Sequence, residues 1–301
     1  MSKTILPNLS AVTVAVTLGE PRVLCVLEDD FSGASRIPSG ILHADSDDTL
    51  EMSMRSWVQR ETGVEVGYVE QLYTFGDAQR SRDLDHRLLT ITYLALLREA
   101  ATLTGATWLA IYDFLPWEDH RGPSPAADKL LRDAVQQRVC GDEELLQRAN
   151  FLFGWEGRTW DPIRALERYE FLYECSLVSE FFQDEKQAPT KDLPASRSML
   201  FDHRRILATA LSRLRGKLTY RPVVFEAMAP EFTLTQLQET VEALSGVQLH
   251  KQNFRRLIDK GNLVVPVGKK SIRTSGRPAA LYRFHQEVVA ERPRPGVLTP
   301  R

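Results

Sequence analysis

The sequence predicts an α+β protein whose last hundred residues form a helix-turn-helix followed by a two-stranded ribbon. Three observations carry that expectation. Apolar residues alternate at period two in the early chain and recur at helical spacing later. The stretch Glu231–Phe284, EFTLTQLQETVEALSGVQLHKQNFRRLIDKGNLVVPVGKKSIRTSGRPAALYRF, carries the start and stop signals of two short helices and then two β-rich runs. The charge is also split. Of 38 Lys+Arg and 40 Asp+Glu, residues 201–301 hold 18 and 8, leaving 20 and 32 to residues 1–200. A net charge of −2 thus hides a basic third joined to an acidic remainder, the balance expected of a nucleic-acid reader attached to a different module.

Composition bounds the rest. The 301 residues are 43% hydrophobic and 26% charged, ordinary globular values. No apolar run reaches the roughly 18 residues of a membrane span. The opening MSKTILPNLSAV lacks the apolar stretch of a signal peptide. Cys25, Cys140 and Cys175 show neither zinc spacing nor a disulfide framework, so the expectation is reduced cysteines in a cytoplasmic protein with no membrane partner. The six histidines are scattered, and no metal site is expected. There is no internal repeat, P-loop, GxGxxG or GxSxG.

In chain order, Ala11–Leu18 and Arg22–Leu27 read as a hairpin turning at Gly19-Glu20-Pro21. A polar loop with Arg36 and Pro38 follows. Asp48–Arg60 reads as a helix with Leu50, Met54 and Trp57 or Val58 on one face, stopped near Gly63. Tyr68–Phe75 and Leu88–Leu97 read as strands. PWEDHRGPSP is a turn-rich bridge, Ala126–Leu152 a helical region broken near Gly141, and Pro162–Asp184 one helix. Those apolar helices serve either as a dimer interface or as a cover for the sheet. EKQAPTKDLPAS is a linker. Met199–Tyr220 reads as a helix whose Arg204, Arg205, Arg213 and Arg215 either meet phosphate or form a solvated face.

In the last stretch, Thr233 and Gln236 fit a capping box and Gly246 ends the first helix. The second, His250–Lys260, places Phe254, Leu257 and Ile258 on one face and Lys251, Gln252, Arg255 and Arg256 on the other. Strands at Leu263–Val267 and Ala280–Phe284 flank the basic tip GKKSIRTSGRPA. That order is a winged helix. Arg and Gln side chains suit base edges and Lys suits phosphate, so Lys251, Gln252, Asn253, Arg255, Arg256, Lys269, Lys270, Arg273 and Arg277 are the candidate DNA-binding residues. An ordinary solvated helix face is the competing view, which the adjacent basic wing disfavours.

Phe232–Leu234, Leu237-Gln238, Lys251, Asn253–Arg256 and Gly276–Phe284 resemble the C-terminal winged helix of Nudix-related transcriptional regulators of NAD biosynthesis (NrtR-like). The early elements are similar to a Nudix domain. The Nudix motif G-x5-E-x7-R-E-U-x-E-E-x-G-U uses glutamates on one helix face to hold Mg²⁺ beside a diphosphate. Set on Glu61-Thr62-Gly63-Val64, it puts Leu42 at the Gly, Asp48 at the first Glu, Ser56 at the Arg, and Trp57 and Arg60 at two further Glu positions. Of the final glutamates only Glu61 survives, so no catalytic residues and no enzyme activity are expected. The stretch EQLYTFGD at Glu70–Asp77 resembles one carried by the same regulators. In that light Arg36, Tyr73, Phe75, Arg80 and Arg82 are candidate effector-binding residues, rings for an adenine and guanidiniums for a diphosphate. The competing reading is that Tyr73 and Phe75 alternate into the core, and for Phe75 that reading is preferred. The helical insertion resembles the longer NadQ-type regulators.

The resemblance implies an acidic Nudix-like effector domain over 1–115 and a helical insertion and linker over 116–195. A linker helix and winged helix over 196–290 and a tail over 291–301 complete the chain. It implies a homodimeric repressor that binds operator DNA and senses NAD, ADP-ribose or ATP without a catalytic cofactor. The alternatives are a Nudix hydrolase with an accessory nucleic-acid-binding domain and a constitutive DNA-binding protein.

Overall fold

The computed structural model describes residues 4–27, 34–43, 49–76, 86–99, 103–122, 125–190, 193–271 and 278–285. Asp48, Arg80, Arg82, Arg273 and Arg277 lie outside them, as does the tail.

A mixed sheet is the centre of the molecule. Its strands are β1 (Thr4–Thr17), β2 (Glu20–Leu27), β3 (Ser35–Arg36), β4 (Ser39–Ile41), β5 (Tyr68–Phe75), β6 (His86–Leu96) and β7 (Ala106–Ala110). The order β3-β2-β1-β6-β5 is completed by β4 on β1 and β7 on β2. The β1 and β6 pair is parallel and the others are antiparallel. Expected strands at 11–18, 22–27, 68–75 and 88–97 are all present, β7 is additional, and β3 and β4 fall in the stretch read as a polar loop, where they pair with β2 and β1. The hairpin turns one residue earlier than expected, at Leu18-Gly19, with both φ positive at 52° and 77°. That pair of conformations matches the twist of the flanking strands.

Period-two alternation sends the two sides of each strand into different cores. Leu9, Ala11 and Ala15 of β1, Leu24 of β2 and Tyr93 and Ala95 of β6 pack with Met54 and Val58 of α1 (Leu50–Thr62). Val12, Val14, Val23, Cys25, Leu94 and Leu96 point the other way, into a larger core shared with the later helices. Helix α1 begins at Thr49, whose side chain accepts from Met52 N–H, and ends at Gly63 with φ 75°.

After the sheet come α2 (Ile111–Phe114), a 3₁₀ turn at Pro116–Glu118, α3 (Pro125–Arg138) and α4 (Glu143–Phe153). The single helix expected over 162–184 is three pieces: a 3₁₀ turn at Pro162–Arg164, α5 (Ala165–Glu174) and α6 (Ser179–Asp184). The chain breaks at Ser176, with φ 55°, where Ser176 N–H bonds to Tyr173 O and Leu177 N–H to Leu172 O. Those bonds cap α5 instead of prolonging it.

Helix α7 runs from His203 to Leu218, four residues shorter at its start than the sequence suggests. Arg197 N–H bonds to Asp113 O and Leu200 N–H to Ser35 O, so those amides tie the segment to the first domain and are not spent on a helix. Helix α7 packs on the sheet at β1 and β5, and α5 packs on α7. The insertion therefore adds an outer layer over the linker helix.

The winged helix is as expected. A 3₁₀ turn at Val223–Ala227 leads to α8 (Leu234–Ser245), α9 (Lys251–Gly261), β8 (Val264–Lys270) and β9 (Ala280–Phe284). The capping box of Thr233 and Gln236 is complete and Gly246 takes φ 75°. Phe232 pairs with Tyr282 through two backbone bonds, extending the ribbon. Helix α8 also lies against β1 and β2, which docks the winged helix directly on the first domain's sheet.

Candidate DNA interface and effector site

Helix α9 is amphipathic because its apolar residues fall at i, i+3 and i+4. Phe254 is 3% exposed and Ile258 fully buried, in one core with Leu237, Val241, Leu244 and Leu263. The structure brings Lys251, Gln252, Asn253, Arg255 and Arg256 together on the exposed side. Arg256 reaches Asn253 Oδ1 at 3.4 Å, and no salt bridge neutralises the row among the described residues. Asn262 ends the helix with φ 47°, a conformation Asn tolerates better than most residues. Beside α9, Lys269 and Lys270 are exposed on β8. Lys269 Nζ lies 3.0 Å from Glu231 Oε1.

The first domain presents a different chemistry. Trp57 sits where the Nudix motif has a glutamate, and its ring lies against the Gly40 backbone so closely that a Cβ there would overlap it. This explains why Gly40 is needed two residues away from the motif's own glycine. Arg60, at another glutamate position, stacks over Trp57 with its guanidinium carbon 4.9 Å from the ring centre. Glu61, the surviving carboxylate, is ion-paired with Arg36. Among the described residues no group of His, Cys, Asp and Glu is arranged to hold a metal ion. An indole, a guanidinium and an arginine-neutralised carboxylate do not fit the motif's Mg²⁺ site, since hard cations require several free oxygen ligands.

Of the effector candidates, Tyr73 is 57% exposed on β5 while Phe75 is 4% exposed and belongs to the larger core. Their rings meet edge-on at 5.1 Å. A bulge at Leu72 shifts the register between Gln71 and Tyr73. Buried Phe75 is therefore a packing residue. Arg36 is held in an ion pair with Glu61.

The linker-helix arginines correct an expectation. Arg204 and Arg215 are fully buried, neither in phosphate reach nor on a solvated face. Arg204 Nη1 bonds to Glu180 Oε2 at 3.0 Å and Nη2 to Ser196 Oγ at 2.8 Å. Arg215 shares the fully buried Glu118 with Arg168, whose Nε and Nη2 lie 2.6 and 2.8 Å from the carboxylate oxygens. Burial alone would raise the Glu118 carboxyl, but the two guanidiniums outweigh it and hold its pKa below the usual value. Only Arg205, paired with Glu170, and exposed Arg213 keep a surface position. A signal for burial exists in the spacing. Arg204 and Arg215 fall in register with Ala208, Leu211 and Leu218, and Arg168 with Ala165 and Leu172, so each arginine stands on an apolar stripe. Glu118, inside a turn-rich bridge, carries no such mark.

Residues 224–284 match the family of the NrtR DNA-binding winged helix domain. Among characterised proteins, the ADPR responsive transcriptional repressor NtrR of Acinetobacter baylyi is 38% identical over 86 residues. That alignment covers 29% of this chain and 34% of the relative's length. The fold as a whole is similar to the crystal structure of Shewanella oneidensis NrtR complexed with a 27mer DNA, with TM-score 0.59, 21% identity, and 95% and 96% of the two chains covered. A MutT/nudix family protein from Enterococcus faecalis shares it at TM-score 0.52 and 14% identity, over 94% and 88% of the chains. The family match therefore rests on residues 224–284, which resemble the NrtR DNA-binding winged helix domain, while the likeness to the Shewanella oneidensis structure is one of fold.

Proposed function

We propose that the protein is a homodimeric, operator-binding repressor of NAD-biosynthesis genes whose Nudix-like domain senses an adenine nucleotide, ADP-ribose before NAD or ATP, without hydrolysing it. The observation that carries this is the exposed row Lys251, Gln252, Asn253, Arg255 and Arg256 on a helix whose opposite face is locked into the core. Such a helix enters the major groove with fixed side chains, and the wing lies along the backbone. The relative's name, an ADPR responsive repressor, supports the choice of nucleotide. In the first domain, the exposed ring of Tyr73 offers a stacking surface. Trp57 Nε1 and Glu61 Oε2 are buried polar atoms without a hydrogen-bond partner, which a bound nucleotide would satisfy. A ligand-panel thermal shift on the whole protein, repeated with operator DNA, tests the proposal together with light scattering for the dimer. The proposal falls if no nucleotide changes either melting temperature or operator affinity.

Three expectations arise here. Arg255→Ala is expected to cost about 1–3 kcal/mol of operator affinity and to relax preference at one base position. Lys270→Ala is expected instead to weaken all sequences alike and to reduce the salt slope by about one. Lys269→Ala is expected to do less, because Glu231 already compensates that charge. Gel-shift titrations at several salt concentrations separate these outcomes.

Hydrolysis is the rival activity. With Trp57 and Arg60 at carboxylate positions and Arg36 on Glu61, no Mg²⁺-dependent turnover of ADP-ribose, NAD or diadenosine substrates above buffer is expected. Turnover that disappears in Glu61→Gln would overturn this assignment.

A further inference from the structure

The end of α8 is capped from outside the winged helix. Tyr112 Oη donates to Ala243 O at 2.6 Å, Arg215 Nε to Leu244 O at 3.3 Å, and the His120 backbone N–H to Gly246 O at 2.7 Å. These carbonyls stand at the negative end of the helix, where a guanidinium is favourably placed. Gly246 is required for the approach. It takes φ 75°, and a Cβ on it would overlap the Glu118 carbonyl oxygen and the Arg215 guanidinium. The next helix, α9, starts at Lys251, so this contact grips the turn of the helix-turn-helix itself.

Behind the turn lies the buried Arg168–Glu118–Arg215 group. Both guanidiniums also face the Trp160 ring, at 4.6 and 5.4 Å. Arg215 Nη2 donates to Glu118 O at 2.8 Å and lies 3.4 Å from Tyr112 Oη. One cluster thus joins α2, the bridge, the insertion, the linker helix and the turn. Two residues beyond Arg215, Lys217 Nζ donates to Tyr68 Oη at 2.8 Å and is ion-paired with Glu70. Tyr68 and Glu70 lie on β5, the strand that exposes Tyr73.

We propose that Tyr112, Glu118 and Arg215 are positioning residues that set the orientation of the recognition helix from outside its own domain, so that a change at β5 reaches α9 through α7 and the turn at Gly246. Besides its own cap from Gly246 N–H to Glu242 O, α8 is held at this end by groups outside the winged helix. Here the linker helix, the bridge and α2 hold the turn together, and α9 follows them. The operator-affinity part of this inference rests on the proposed DNA-binding function, whereas the mechanical part does not.

The test uses the full-length protein and Tyr112→Phe, which keeps the ring and removes only the hydroxyl. Leu131→Ala in α3, a buried core change outside α8, α9 and their turn, serves as the control, compared at equal distance below each variant's melting temperature. Hydrogen exchange is read over residues 243–258, and operator affinity by titration. Tyr112→Phe is expected to speed exchange across that segment and to weaken operator binding at least threefold, while Leu131→Ala does neither. If exchange and operator affinity in Tyr112→Phe match the wild type, or if Leu131→Ala reproduces its effects, the positioning role is overturned. Should the wild type bind no operator, the proposed function falls, and the exchange data alone decide whether the turn is held from outside.

Discussion

Glu118→Gln is expected to destabilise the folded protein by about 3–5 kcal/mol, the typical cost of stranding buried charge. The reason is asymmetry. A buried ion cluster is a weak source of net stability while it is complete, because desolvation offsets much of the attraction. Removing its one carboxylate leaves Arg168 and Arg215, both at 0% exposure, with no compensating charge. Arg168 retains Leu152 O and Asp161 O, and Arg215 retains Pro162 O and Glu118 O, but carbonyl dipoles do not replace an anion. Denaturant titration of both proteins measures the loss. The pH dependence supplies a second check. The Glu118 pKa in the folded protein lies below its unfolded value of roughly 4.3, so its contribution is complete above that value and fades as pH falls through the folded pKa. The stability difference between wild type and Glu118→Gln should therefore be constant near neutrality and shrink in acid. A variant equal to wild type at pH 7 would show that the cluster is not the junction described.

Phe254→Ala is expected to cost about 3–5 kcal/mol of winged-helix stability, the usual range for a buried Phe truncated to Ala. Phe254 is 3% exposed and closes the core between α8 and α9. Its loss releases the helix that presents Lys251, Gln252, Arg255 and Arg256, so operator binding should fall with folding. Arg255→Ala separates the two effects: it should weaken the operator complex while leaving denaturant stability unchanged, because Arg255 is exposed. Stability unaffected by Phe254→Ala would contradict the packing of α9.

Much of the winged helix is legible in the sequence because its signals are local. A capping box, a glycine stop and a 3.6-residue stripe act within one helix turn, and α8 and α9 start and end within a residue or so of the expected points. The strands of the first domain are likewise carried by alternation. Phe75 and Tyr73 mark where local pattern runs out. Alternation alone places both on one face, and only the larger core that covers Phe75 and leaves Tyr73 exposed separates them.

The sequence by itself determined the helix-turn-helix and ribbon, the order of the main strands, the loss of motif carboxylates at Trp57 and Arg60, and the basic face of α9. Tertiary structure decided what became of the charges in between. Arg204 and Arg215 read as surface cations because arginine is rarely buried without a partner. Their partners, Glu180 and Glu118, lie 24 and 97 positions away in the chain, and no periodicity links residues so distant. Arg36 and Glu61 likewise meet across 25 positions, turning the last motif carboxylate into half of an ion pair. Long-range electrostatic pairing depends on how the chain folds back on itself, and that is why the junction holding the recognition helix emerged only in three dimensions.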